Sequence, residues 1–151
     1  MPPDVPEPIP APVLGSPEPQ RRRHWPLHLL RACTVLVLLD TLLQAALAGL
    51  FVTGDLDLLA WHAANATVLA TLNLAQTAAA VLVWRRLRGP GWPPAASALL
   101  AILVWVEHDL GEARVLAGHM PLGMAVFGCA TALTYWAFAH RPAAHVPGEA
   151  P

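Results

Sequence analysis

Four apolar runs joined by links too short for anything but a turn dominate this sequence. They extend from about Leu27 to Leu50, from Leu58 to Trp84, from just after Pro93-Pro94 to Leu116 and from Met120 to Ala139. A membrane-spanning helix needs about 20 apolar residues, and each run is of that order. The links are FVTGDLD, RRLRGPG and a few residues around Gly118. Short connections make consecutive helices antiparallel neighbours. The chain is therefore expected to be all-α, an integral membrane up-down four-helix bundle. No run alternates polar and apolar with period two, which argues against a membrane β-barrel. Composition agrees, since 56% of the 151 residues are apolar and only 13% are charged. A soluble domain of this size carries about twice that charge.

The first 20 residues hold 8 of the 16 prolines. That density forbids helix and leaves little to bury. Residues 1–24 are expected to form a disordered Pro-rich tail, residues 25–141 the transmembrane domain, and residues 142–151 a second disordered tail.

Arginine placement sets the expected orientation. The chain has no lysine, and of its nine arginines, Arg21, Arg22, Arg23, Arg31, Arg85, Arg86, Arg88 and Arg141 fall at one end of the bundle. Arg114 alone falls at the other, beside Asp55, Asp57, Asp109 and Glu112. The positive-inside rule predicts a multi-pass protein of the plasma membrane with both termini in the cytoplasm. Trp25, Trp61, Trp84, Trp92 and Trp136 sit at expected helix ends, where amphipathic rings prefer the interface. A net charge of −1 gives no reason to expect nucleic acid as a partner. The expected partners are the lipid bilayer and, for a bundle this small, other membrane subunits or further copies of itself.

A signal peptide competes for the first run. Arg21 to Arg23, the apolar stretch and Ala46-Leu47-Ala48 imitate its parts, but the preceding tail is long and Asp40 interrupts the run. Cys33 and Cys129 belong to no C-x-x-C motif and are expected to be small buried apolar residues without a disulfide.

Polar groups inside a spanning helix are costly and mark the place to look. His62, Asn65, Asn73 and Gln76 fall on one stripe of helix 2. Asp40 and Gln44 are one turn apart on helix 1. Helix 3 reaches Glu107 after only about 20 Å, so Glu107 and His108 are expected below the outer surface. His119 is expected in the first turn of helix 4, next to the favoured proline Pro121. Asp40, Gln44, His62, Asn65, Glu107, His108 and His119 all belong to the outer half. Helices 2 and 4 are diagonal in an up-down bundle, which can place His62 and His119 across the core from each other.

Three functional readings and one structural reading follow. Bundle cores are common cofactor sites and histidine is a standard axial ligand, so His62 and His119 are candidate ligands of one haem b. Gly123 lies one turn below His119 and leaves room for a flat macrocycle, and Arg114 is a candidate contact for a propionate or another anion. Alternatively, His62, Glu107, His108 and His119 supply nitrogen and oxygen ligands to a metal ion, although no H-x-x-x-H or H-E-x-x-H spacing is present. Asp40, Glu107 and the histidines are also candidates for a proton path. The structural reading is an accessory subunit or scaffold whose polar residues bond between helices. It explains Asn73 and Gln76 well, and it makes Arg114 the partner of Glu107, Asp109 or Glu112.

At His62-Ala63-Ala64-Asn65 and His119-Met120-Pro121-Leu122-Gly123 the chain resembles small four-helix cytochromes of the b type and each half of haem A synthase. Those proteins carry histidines at helix ends facing a shared core. The segment from Trp61 to Gly123 also resembles uncharacterised four-helix membrane proteins of actinobacteria, with a histidine opening helix 2 and a His-x-Pro-x-Gly-like opening of helix 4. In layout the resemblance covers residues 27–140. It implies a redox or haem-handling role with His62 and His119 as ligands. The b-type cytochromes usually have several histidine pairs, and this chain offers one, so a single haem is implied. No P-loop, G-x-S-x-G or G-x-G-x-x-G motif suggests soluble-type catalysis, and whether the chain is an enzyme is left open. If helix 1 is retained, N-terminal sequencing of the mature protein will not begin downstream of Ala48; a start there would establish cleavage.

Overall fold

A computed structural model describes residues 18–140. Residues 1–17 and 141–151, which include most of the two expected tails, lie outside the described residues. Four helices make up the rest: α1 (Glu18–Val52), α2 (Leu58–Leu87), α3 (Trp92–Glu112) and α4 (Leu116–Ala139). α1 starts upstream of the expected boundary at residue 25. Pro19 falls in its first turn, where a missing N–H is harmless. The helix also continues through Pro26, which is buried.

α3 ends at Glu112, not at Leu116 as expected. Arg114 adopts a left-handed φ of 56°, which no helix accommodates, and α4 starts two residues later. Left-handed backbone closes the other turns too. Arg88 (φ 50°) caps α2, and Gly54 (φ 122°) turns the chain between α1 and α2 in a conformation that L side chains rarely adopt.

The helices form a square. α1 packs on α2 and α4, and α3 packs on α2 and α4, while α1–α3 and α2–α4 are the diagonals. One end, the turn end, carries the α1–α2 and α3–α4 turns. The outward surface is apolar, with Leu36, Leu39, Leu43, Ile102, Met124 and Phe138 exposed. A helix that is apolar all round belongs in lipid. Three helices are long and apolar enough to cross a membrane: His24–Val52, Leu58–Leu87 and Leu116–Ala139, with mean hydropathies of 2.2, 1.6 and 1.5. α3 is the odd helix, as its early Glu107 leads us to expect. α3 has Trp92-Pro93-Pro94 at one end and Glu107-His108-Asp109 near the other, which dilute its apolar middle. Its 21 residues nevertheless span about 31 Å against α2 and α4.

The interior is layered. Polar side chains occupy the turn end. An apolar layer follows, built from Val37, Leu69, Leu100, Val104 and Val126. A second polar group, Thr34, Asn73, Gln76 and Ser97, is buried beyond it. Leu30, Cys33, Ala79, Ala80, Val83 and Ala137 close the far end. Both cysteines are free; Cys33 is buried as expected, but Cys129 is exposed on the outward face of α4. Buried threonines settle their hydroxyls on their own helix, as Thr41 does by donating to the Val37 carbonyl at 2.7 Å.

Arg31 does more than set charge balance. Its Nε–H donates to the Ala137 carbonyl at 2.9 Å and its Nη2 to the His140 carbonyl at 3.3 Å. The last carbonyls of a helix have no intrahelical donor and carry its negative dipole end, so a guanidinium there both satisfies and neutralises. Arg31 thereby ties α1 to the end of α4. Replacing it with Met, which keeps much of the length but none of the donors, should lower stability by about 1–3 kcal/mol. Equilibrium unfolding in mixed micelles will measure the loss, and an unchanged midpoint would refute this role.

Candidate functional site

The turn end gathers polar side chains from all four helices. Gln44 of α1 and His62 of α2 bond reciprocally. His62 Nδ1–H donates to the Gln44 backbone carbonyl at 3.1 Å, and Gln44 Nε2–H donates to the His62 backbone carbonyl at 3.0 Å. Asn65, one turn along α2, donates from Nδ2 to Gln44 Oε1 at 2.9 Å. The other ring nitrogen, His62 Nε2, accepts from Gln44 Nε2–H at a long 3.4 Å. An edge of Phe51 meets the His62 ring with centroids 5.5 Å apart. Asp40 lies one turn further into the bundle, with Oδ2 buried and without a partner among the described residues.

The opposite wall comes from α3 and α4. His119 Nδ1 reaches the Glu107 backbone carbonyl at 3.0 Å and Glu107 Oε1 at 3.1 Å. Only 19% of the His119 side chain and 16% of the Glu107 side chain are exposed, so water competes little for this pair. Two glycines clear its space. A Cβ on Gly123 would stand 2.9 Å from Glu107 Oε1, and one on Gly111 would stand 3.1 Å from His119 Cε1. The open face of Gly123, expected to leave room for a macrocycle, receives the Glu107 carboxylate.

The two walls meet across the diagonal. The rings of His62 and His119 have centroids 6.1 Å apart and planes at 76°. Each ring uses Nδ1–H on a backbone carbonyl of a neighbouring helix, which fixes the tautomer; the His62 Nε2 lone pair faces Gln44 Nε2–H at 3.4 Å, whereas His119 Nε2 is left with its lone pair. That is the arrangement usual for a histidine prepared to bind a metal.

The other expected residues divide. His108 does not join this cluster; its ring instead faces that of Trp105 with centroids 6.2 Å apart. Among the described residues no group of three or more His, Cys, Asp or Glu comes together as a metal site requires. Arg114 sits in the left-handed turn and forms no salt bridge with Glu107, Asp109 or Glu112, so the expected ion pair is corrected. Asn73 and Gln76 lie deeper, beyond the apolar layer. Sequence spacing did not signal that Glu107 partners His119, nor that Gly111 makes room for the ring.

Comparison with protein-family models, curated proteins and solved structures finds no match for this chain.

Gly123→Ala should lower stability by about 1–3 kcal/mol, because the new methyl displaces a carboxylate with nowhere else to go. Glu107→Ala should relieve most of that cost in the double variant. A full thermal-melting cycle checks this, and additive effects would show that the carboxylate does not occupy the Gly123 notch.

Proposed function

We propose that this integral membrane bundle holds a single haem b between His62 and His119 and serves in electron transfer or haem handling. One observation carries the reading: two histidines from diagonal helices stand 6.1 Å apart with both Nδ1–H groups fixed on backbone carbonyls. His62 and His119, brought together from two helices, are the residues that would hold the group. Among the described residues no third His, Cys, Asp or Glu clusters with them, and a haem would ask the protein for fewer ligands than a bare ion does.

When bound, the haem iron supplies one-electron chemistry. The chain's own residues have separate tasks. Gln44 and Asn65 hold the His62 ring against α1. Glu107 bonds to His119 Nδ1 and strengthens Nε2 as a donor. Arg114, without an ion pair among the described residues, supplies a cation at the turn end for a propionate.

The full chain, expressed with ample haem and purified in detergent, should show a Soret band and a sharp α band on reduction. Both bands should disappear in His62→Ala and in His119→Ala. A colourless wild-type protein would overturn the haem reading. It would leave the bonded polar cluster as interhelical packing, the role of an accessory subunit or scaffold.

We also place both termini on the cytoplasmic side. The support is the arginine distribution, eight at the terminal end against Arg114 at the turn end. Even crossing by four helices leaves the two termini on one face, whereas three crossings separate them. Fluorescent-protein and alkaline-phosphatase fusions at each end discriminate: fluorescence at both termini fits, and phosphatase activity at either one refutes.

A further inference from the structure

The second polar layer is the most deeply buried polar group among the described residues. Asn73 and Gln76 have no exposed surface, and Thr34 and Ser97 are 1% exposed. Asn73 Nδ2–H donates back to the Leu69 carbonyl at 3.0 Å, and Gln76 Nε2–H reaches Ser97 Oγ at a long 3.4 Å. Asn73 Oδ1 and Gln76 Oε1 are left without any donor. The two residues are three apart on α2 and share a face, so the orphaned carbonyls belong to one site.

Nearby hydroxyls do not serve them. Thr34 gives its hydrogen to the Arg31 carbonyl and Thr77 gives its hydrogen to the Asn73 backbone carbonyl. Ser97 Oγ accepts from Gln76 and makes no donor bond among the described residues. The layer thus holds two acceptors lacking donors and one hydroxyl hydrogen lacking an acceptor. Buried alanines follow within about one turn along the chain, Ala79 and Ala80 after Gln76 and Ala101 after Ser97.

We propose that a water molecule is bound inside the bundle between Asn73, Gln76 and Ser97. It donates one hydrogen to Asn73 Oδ1 and the other to Gln76 Oε1, and it accepts the Ser97 hydroxyl hydrogen. Three bonds are the usual complement of an internal water, and such waters persist where removing them would strand polar groups. The site is independent of any cofactor at the turn end.

Water-edited solid-state NMR on the full chain in lipid bilayers tests this directly. The chain has two asparagines (Asn65 and Asn73) and three glutamines (Gln20, Gln44 and Gln76), so amide-nitrogen labelling of these two residue types gives few signals to assign. Magnetisation from water should reach the Asn73 and Gln76 side-chain amides at a rate comparable with the half-buried Asn65. The transfer to Asn73 should be lost in Gln76→Met. Transfer to Asn65 with none to Asn73 or Gln76 would overturn the proposal, because the two amides would then bond each other directly. Thermal midpoints give a second readout. Asn73→Leu and Gln76→Met should each lower the midpoint, and the double variant should fall by less than their sum. A rise in either single variant would mean that a dry, unsatisfied amide had been removed, and the water would be refuted.

Discussion

In hydrocarbon a polar atom finds no bonding partner in the lipid, and the interior of this bundle is arranged around that constraint. Backbone groups are satisfied within helices, and threonines turn their hydroxyls back on the preceding turn. The remaining side chains are sorted into two polar layers, where helices exchange bonds. Gln44 and His62 each bond the other's backbone, so α1 and α2 are fixed in register by donors that neither helix could satisfy alone. Arg31 does the same for α1 and α4 at the opposite end.

The same constraint explains what was legible in the sequence. Helix number, antiparallel order and the diagonal relation of α2 to α4 follow from apolar runs and link lengths, because bilayer thickness and short turns allow little else. The convergence of His62, Asn65 and Gln44 was legible for the same reason, since depth can be counted at 1.5 Å per residue. The partners chosen within a layer were not. Glu107 and His108 are adjacent in sequence and equal in depth, yet one meets His119 and the other faces Trp105. Helix rotation decides that, and an apolar helix gives little clue to its own rotation.

The neighbours of small residues were not legible for a related reason. A glycine in the sequence does not say what lies against it; the packing of α3 on α4 puts the Glu107 carboxylate at Gly123. Arg31 looked like one more basic residue of the terminal end. Its place inside an apolar run was the available signal that it serves helix carbonyls. The boundary between α3 and α4 shifted because Arg114 is left-handed, a conformation that an arginine does not advertise.

The apolar layer between the two polar layers has an electrical consequence. A file of hydrated groups running unbroken from one membrane face to the other would pass protons and short-circuit the membrane. Val37, Leu69, Leu100, Val104 and Val126 interrupt that file over more than one helical turn. They act as the dielectric of a capacitor whose plates are the His62–His119 cluster and the Asn73–Gln76 layer. The bundle can therefore keep ionisable and hydrogen-bonding groups at two depths and still insulate.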